Sequence, residues 1–109
     1  MPARLLYRDA QGRDAFVDVL ESTPVFLGRG ADCAIRTEDA MVSRKNTRVF
    51  FANGRFHAED LTSANGTYVN EQRVQKQALN HADIVRCGSL QVRFVEVAAA
   101  APAPVVQPR

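Results

Sequence analysis

Short apolar or alternating runs recur along the whole chain, and each is too brief for an α-helix. The runs are rich in β-branched and aromatic residues, which favour strands. The last of them alternates apolar and polar positions, as a half-buried antiparallel strand does. They cover residues 5–7, 16–20, 25–27, 49–51, 55–58, 68–69, 84–85 and 90–95, which predicts eight or more short strands and no helix of useful length.

Turn-forming residues separate these runs and predict tight connections. Asn53 and Gly54 stand between two apolar runs, and both residue types tolerate the positive φ of a type I′ hairpin turn. Similar signals occur at 11–12, 23–24, 28–30, 64–66, 70–71 and 87–88. Many short strands joined by frequent turns are typical of an all-β fold, here an antiparallel β-sandwich.

The length of 109 residues fits one domain that buries a core without disulfides or a metal. From residue 98 the composition becomes rich in alanine and proline, which disfavours a continuing central strand or helix. We therefore divide the chain into a domain at 1–97 and a tail or linker at 98–109. Such a segment is either a spacer before another domain or a disordered terminus.

Charge and cysteine content argue against several classes of protein. The net charge of +2 is too small for a dedicated binder of nucleic acid or of an anionic membrane. No stretch reaches the roughly 18 apolar residues of a membrane span, and the N-terminus lacks the pattern of a signal peptide. We therefore expect a cytoplasmic protein. Cys33 and Cys87 lie at no metal-ligand spacing and are expected to be buried, reduced thiols.

Candidate catalytic groups are scarce. His57 lies within a strand-like alternation and His81 within a turn, and neither has a partner spaced for a catalytic triad. The sequence contains no Gly-x-Ser-x-Gly motif. It therefore predicts a protein that is not an enzyme, with no catalytic residues and no metal site.

The informative polar residues lie in the predicted loops. Arginine donates paired, charge-assisted hydrogen bonds to phosphate oxygens, while serine hydroxyls, asparagine amides and loop N–H groups complete the contacts. A phosphorylated side chain brings about −1.5 to −2 charges and three strong acceptor oxygens. Together, Arg29, Ser43, Arg44 and Asn65 predict a receptor for a phosphorylated peptide.

Three motifs carry a resemblance to a known family. Gly28-Arg29, Ser43-Arg44 and the segment Ser-Ala-Asn-Gly-Thr-Tyr-Val-Asn at 63–70 resemble, in order and spacing, the forkhead-associated (FHA) domain. The resemblance covers most of residues 4–97. It implies an antiparallel β-sandwich of about eleven short strands with its binding loops at one end. It also implies binding of phosphothreonine in partner proteins, without catalysis or an obligatory cofactor.

The resemblance assigns a role to each motif position. Arg29, Ser43 and Arg44 match the residues that contact phosphate in the family. Asn65 matches the asparagine that holds the backbone of the bound peptide. The positions that shape the binding loops are Gly28, Asn46, Ser63, Ala64, Gly66 and Thr67.

Two positions depart from the pattern of the family. Asn46 stands where histidine is usual, so the imidazole that braces the binding loops is missing. Ala64 stands where threonine or serine is common, so it offers no hydroxyl. A neutral hydrogen bond contributes only about 0.5 to 1.5 kcal/mol, and neither change removes a cation. We therefore expect phosphate binding to be weakened rather than abolished.

The expected partner is a threonine-phosphorylated protein, or a segment of the same full-length protein, marked by a serine/threonine kinase. We expect the isolated domain to be a monomer that binds neither nucleic acid nor membrane. The departures at Asn46 and Ala64 leave open a degenerate module that docks a partner without phosphate. Nucleic-acid binding is a second alternative, although no stacking aromatics are evident near the basic cluster it would use. That cluster is Arg36, Arg44, Lys45 and Arg48.

Overall fold

The computed structural model describes residues 3–9 and 11–96, and they form eleven strands in two sheets, as expected of an all-β sandwich. The predicted tail at 98–109 lies outside the described residues. Within the described part, no helix is long and apolar enough to cross a membrane. The strands are β1 (Ala3–Arg8), β2 (Asp14–Val19), β3 (Val25–Gly28), β4 (Ile35–Arg36), β5 (Thr47–Ala52), β6 (Arg55–Asp60), β7 (Thr67–Val69), β8 (Gln72–Val74), β9 (Lys76–Ala78), β10 (Ile84–Cys87) and β11 (Leu90–Glu96).

The two sheets pack face to face. One has six strands in the order β2-β1-β11-β10-β7-β8, and the other has five in the order β4-β3-β5-β6-β9. Every strand pair is antiparallel except β3 with β4, which is parallel. The chain crosses from the five-stranded sheet to the six-stranded sheet between β6 and β7, and the loop at this crossing carries the Asn65 motif.

The core lies between the sheets and is built from alternate positions along the strands. Leu27 and Val49 of the five-stranded sheet and Leu5, Val85 and Phe94 of the six-stranded sheet are fully buried. Burial of such a side chain contributes about 1.5 to 3 kcal/mol relative to exposure. The core therefore holds the two sheets, and with them the strand ends that carry the loops, in a fixed relation.

All eight predicted runs are strands, within one or two residues at their ends. The sequence pattern missed β4, β8 and β9, which have only two or three residues each. Their side chains are mostly polar and exposed, so they lack the apolar signal that revealed the others. The predicted turn of the β5–β6 hairpin is confirmed as well. Asn53 has a φ of 53° and Gly54 a φ of 80°, which confirms that both turn residues adopt a positive φ.

Both cysteines are free thiols and buried, as expected. Burial raises the pKa of the Cys87 thiol to about 11 and also raises that of Cys33. The Cys33 thiol donates a hydrogen bond to the carbonyl of Arg44, at 3.1 Å. Cys33 therefore contributes to the positioning of the loop that carries Ser43 and Arg44.

Candidate functional site

Three loops meet at one end of the sandwich and carry the predicted binding residues. They are the β3–β4 loop (29–34), the β4–β5 loop (37–46) and the β6–β7 loop (61–66). Backbone and side-chain hydrogen bonds join each loop to the next. The fold thus brings Arg29, Ser43, Arg44 and Asn65 into one region although 36 residues separate the first from the last.

Gly28 lets two loop backbones touch. A Cβ at this position would lie 2.3 Å from the Arg44 carbonyl oxygen and 2.7 Å from that of Ser43, so no larger residue fits without moving the backbone. The Arg29 N–H donates to the Ser43 carbonyl at 3.1 Å, and the Gly30 N–H donates to the Arg44 carbonyl at 2.9 Å. Arg29 is therefore held directly beside Ser43.

The Arg29 side chain is fixed at its root and open at its tip. Its Nε donates to the carbonyl oxygen of Val42, whereas its two terminal nitrogens have no acceptor among the described residues. Arg29 is exposed. This arrangement orients the guanidinium and leaves a pair of N–H donors available to an anion.

Ser43 and Arg44 present a hydroxyl and a cation in succession. The Ser43 Oγ accepts the Ala64 N–H at 3.1 Å, so the hydroxyl hydrogen remains free to donate. Arg44 is exposed, and its guanidinium has no hydrogen bond or ion pair with any described residue. Its carbonyl accepts from Gly30 and Cys33, so the backbone is fixed while the charge faces solvent.

Asn46 braces the loops in the position where the family usually has histidine. It is only 1% exposed. Its Oδ1 accepts the Ser43 N–H at 3.0 Å, and its Nδ2 lies 3.3 Å from the Gly66 carbonyl and 3.2 Å from the Thr67 hydroxyl. The shorter amide of Asn46 therefore bridges the two loops directly, although the imidazole usual in the family is absent.

A buried polar network continues from Asn46 to the start of the Asn65 loop. The Thr47 and Thr67 hydroxyls lie 2.7 Å apart and join β5 to β7 across the sandwich. Thr67 donates to Asp60 Oδ1 at 2.9 Å. The Ser63 hydroxyl also donates to Asp60 and accepts the Gly66 N–H. We call this set of hydrogen-bonded residues, Asn46, Thr47, Asp60, Ser63 and Thr67, the loop framework. Ser63 and Thr67 thus belong to the loop framework, whereas Ala64 contributes only its backbone N–H to Ser43.

Asn65 lies at the exposed edge of this framework. Its Nδ2 donates to the Met41 carbonyl at 2.8 Å, which leaves its Oδ1 and one amide hydrogen free of described partners. Met41 is one of the few large apolar side chains that are exposed, at 57%. Asn65 can therefore exchange two hydrogen bonds with the backbone of a peptide that crosses it.

Asp39 is a positioning residue that motif matching missed. Its carboxylate accepts the Met41 N–H, the Ser89 N–H and the Ser89 hydroxyl, at 2.8 to 2.9 Å. These bonds, led by that from Met41, lower the pKa of the Asp39 carboxyl. They tie the β4–β5 loop to the β10–β11 turn. A contact across 50 residues leaves no local pattern, although the turn signal at Gly88 marked one side of it.

The charges around the site divide into paired and unpaired groups. Arg36 pairs with Glu38, Arg48 with Glu59, and Lys45 with Asp32, so most of the basic cluster is neutralised within the protein. The ion pair with Lys45 lowers the pKa of Asp32. Among the described residues, Arg44 and the terminal nitrogens of Arg29 are cationic groups of the three loops that make no salt bridge.

Other chemistry has little support. Among residues 3–9 and 11–96, no group of three or more His, Cys, Asp or Glu side chains could hold a metal ion. His57 lies in β6 and stacks on Phe50, with ring centroids 5.4 Å apart. His81 accepts the Glu96 N–H. Both histidines therefore contact structural elements rather than a candidate nucleophile.

Known proteins resemble this chain in sequence and in fold. The family model for the FHA domain matches residues 25–88. Glycogen accumulation regulator GarA of Mycolicibacterium smegmatis is 32% identical over 77 residues, which cover 71% of this chain and 49% of that protein. The chain thus spans about half the length of the curated relatives it matches.

Two solved structures are similar across most of the chain. One comes from a structural and functional analysis of phosphothreonine-dependent FHA domain interactions and is 28% identical with a TM-score of 0.73, covering 89% of this chain and 98% of its own. The other is Mycobacterium tuberculosis EmbR in complex with a low-affinity phosphopeptide, 26% identical with a TM-score of 0.71, covering 85% of this chain and 24% of its own. The sandwich, its loop motifs and the match over residues 25–88 show that this chain belongs to the FHA domain family.

Proposed function

We propose that this domain binds a phosphothreonine-containing segment of a partner protein in the cytoplasm and uses no catalytic chemistry. Arg29 and Arg44 hold the phosphate, Ser43 adds a hydroxyl donor, and Asn65 holds the peptide backbone beside the phosphothreonine. The phosphothreonine-dependent interactions and the phosphopeptide complex described for similar structures support this ligand.

The observation that carries the proposal is a set of free donors on a fixed backbone. The terminal nitrogens of Arg29, the Ser43 hydroxyl hydrogen and the Arg44 guanidinium lack acceptors among the described residues, while the atoms that anchor them are hydrogen-bonded. The donors of Arg29 and Ser43 are already oriented and therefore lose little entropy when a ligand arrives, whereas the exposed Arg44 side chain has to be ordered. Each charge-assisted bond then contributes about 1.5 to 3 kcal/mol.

The degenerate, phosphate-independent module is less well supported than it was by the sequence alone. Its motivation was the loss of the bracing histidine, and Asn46 supplies hydrogen bonds to both loops in its place. Ala64 still lacks a hydroxyl, so one contact that is common in the family is missing. Nucleic-acid binding also loses support, because three of the four cations of the basic cluster have carboxylate partners.

Calorimetric titration with phosphothreonine peptides of randomised flanking sequence, and with their unphosphorylated twins, tests the proposal. Arg29→Ala should weaken phosphopeptide binding about tenfold or more, since at least one charge-assisted bond is lost. Arg93→Ala is the matched control, because Arg93 is exposed on β11 and has no described partner. Equal affinity for the phosphorylated and bare peptides would favour the degenerate module instead.

A further inference from the structure

Arg73 lies against Gly66 of the β6–β7 loop, although it is outside the three motifs described above. It sits on β8, the outer strand of the six-stranded sheet, opposite Tyr68 of β7. Residues on the same face of an antiparallel pair also contact their diagonal neighbours, and the diagonal neighbour of Arg73 is Gly66. A Cβ added to Gly66 would lie 2.6 Å from Arg73 Nε and 3.0 Å from its Cζ. The guanidinium therefore occupies the space above Gly66, one residue from Asn65.

The charge of Arg73 has no counterion among the described residues. Most other arginines of the sheets do have one: Arg4 pairs with Asp18, Arg48 with Glu59, and Arg86 with Glu71. The pair of Arg86 with Glu71 bears directly on Arg73, because Glu71 lies in the same β7–β8 hairpin. The Glu71 carboxylate is already bound by Arg86 Nε, at 3.0 and 3.1 Å.

Asp60, the buried carboxylate at the end of β6, is engaged by other residues. Its side-chain oxygens accept hydrogen bonds from Ser63 and Thr67 in the interior of the loop framework, and the residue is only 9% exposed. Arg73 itself is exposed. An unpaired cation thus packs against a rigid glycine at the rim of the phosphate site, where an anion of the ligand can reach it.

We propose that Arg73 forms a second anion site that binds a carboxylate or a second phosphate elsewhere on the bound phosphopeptide. This inference rests on the proposed function, since the first phosphate places the peptide across Asn65. The planar guanidinium fork matches the oxygens of either group. The domain would then select doubly anionic segments over those that carry the phosphothreonine alone.

The geometry limits where the second anion can lie. The Ser43 hydroxyl bonds to the Ala64 N–H, and Gly66 follows two residues later, a span of at most about 7 Å. An extended peptide advances about 3.3 Å per residue, so Arg73 can meet a side chain about two to four positions from the phosphothreonine. The anion should therefore act from a narrow window on one side of the phosphothreonine.

A peptide scan with matched variants tests the inference. A phosphothreonine peptide with alanine at all flanking positions is compared with peptides that carry aspartate, or a second phosphothreonine, at each position in turn. Binding is measured for the natural chain, for Arg73→Gln and for Arg93→Gln, which removes an exposed arginine on β11. Thermal unfolding of each protein checks that the fold is retained.

In the natural chain, aspartate within the window should tighten binding about fivefold, which is the upper range for an exposed ion pair. The gain should vanish in Arg73→Gln, persist in Arg93→Gln and shrink at high salt. A larger gain from the second phosphothreonine than from aspartate would identify a doubly phosphorylated ligand.

Failure of the inference and failure of the proposed function are distinguishable. A gain that survives Arg73→Gln, or the absence of any gain while phosphate dependence remains, would overturn the role of Arg73 alone. Loss of phosphate dependence in the natural chain would overturn both. The alanine-flanked peptide should bind Arg73→Gln within about twofold of the natural chain, because the first phosphate does not use Arg73.

Discussion

Replacing Asn46 with alanine removes the side chain that joins the Ser43 loop to the start of β7. Asn46 is buried, and its amide contacts the Ser43 N–H, the Gly66 carbonyl and the hydroxyls of Thr47 and Thr67. Alanine can make none of these bonds. The variant therefore tests whether this amide holds the binding loops in place of the histidine that is usual in the family.

The expected cost follows from the groups left without partners. Each neutral hydrogen bond contributes about 0.5 to 1.5 kcal/mol, and a buried polar group left unsatisfied costs about 1 to 3 kcal/mol. The two Asn46 hydrogens are shared among three acceptors, so about two such bonds are lost in addition to that from Ser43. We expect the free energy of unfolding to fall by about 2 to 4 kcal/mol. This corresponds to a decrease of roughly 10 to 25 °C in Tm.

Binding should suffer as well, because the loops would no longer be held at a fixed separation. Chemical denaturation measures the stability of Asn46→Ala, and calorimetry below its Tm measures its phosphopeptide affinity. Gln91→Ala is a suitable control, since it removes an exposed amide from β11. Asn46→His, which retains a donor and an acceptor, should lose less affinity than Asn46→Ala. If Asn46→Ala unfolds and binds like the natural chain, the bracing role is wrong.

Three further predictions concern the loops and the core. Asp39→Ala should lower phosphopeptide affinity several-fold, because it removes the carboxylate that fixes the backbone of Met41 and Ser89. The control Arg93→Ala should leave the affinity unchanged. Calorimetry measures both affinities, and an unaltered affinity of Asp39→Ala would limit Asp39 to a structural role. The Cys87 thiol, with its pKa raised from 9.0 to about 11 by burial, should resist alkylation in the folded protein at mildly alkaline pH. The unfolded chain releases this proton at lower pH than the folded chain does, so the free energy of unfolding should fall as pH rises from about 9 towards 11. The free energy of unfolding, measured by chemical denaturation across that pH range, should depend less on pH in Cys87→Ala than in the natural chain. An identical pH dependence in the two proteins would contradict the raised pKa of Cys87.

The strands of the two sheets were largely predictable because burial imposes a pattern on the sequence. Runs such as β11, with Leu90, Val92 and Phe94 inward, alternate with period two. The strand β8 could not be found in this way, because its three residues are exposed or half-buried at the edge of the sheet. It is nevertheless β8 that carries Arg73 to the rim of the site.

The positions of Arg29, Ser43, Arg44 and Asn65 in loops were also predictable from their motifs, but the way in which the protein holds them was not. Asn46 contacts Gly66 across 20 residues, and Asp39 contacts Ser89 across 50. Such contacts depend on how β5, β7 and the β10–β11 turn come together in three dimensions. A sequence pattern can therefore show which residue types are present, but not which of them will be neighbours.

The division between buried and exposed polar groups is consistent with the anion site proposed for this sandwich. The polar atoms that orient the loops, in Asn46, Thr47, Asp60 and Thr67, lie inside and bond to one another. A buried polar network stabilises a unique arrangement only when its members are satisfied. Because these interior groups satisfy each other, they do not compete for the donors of Arg29 that face solvent. In the proposed complex, a phosphate would engage those donors without first breaking a bond within the protein, so more of the interaction free energy would appear as affinity.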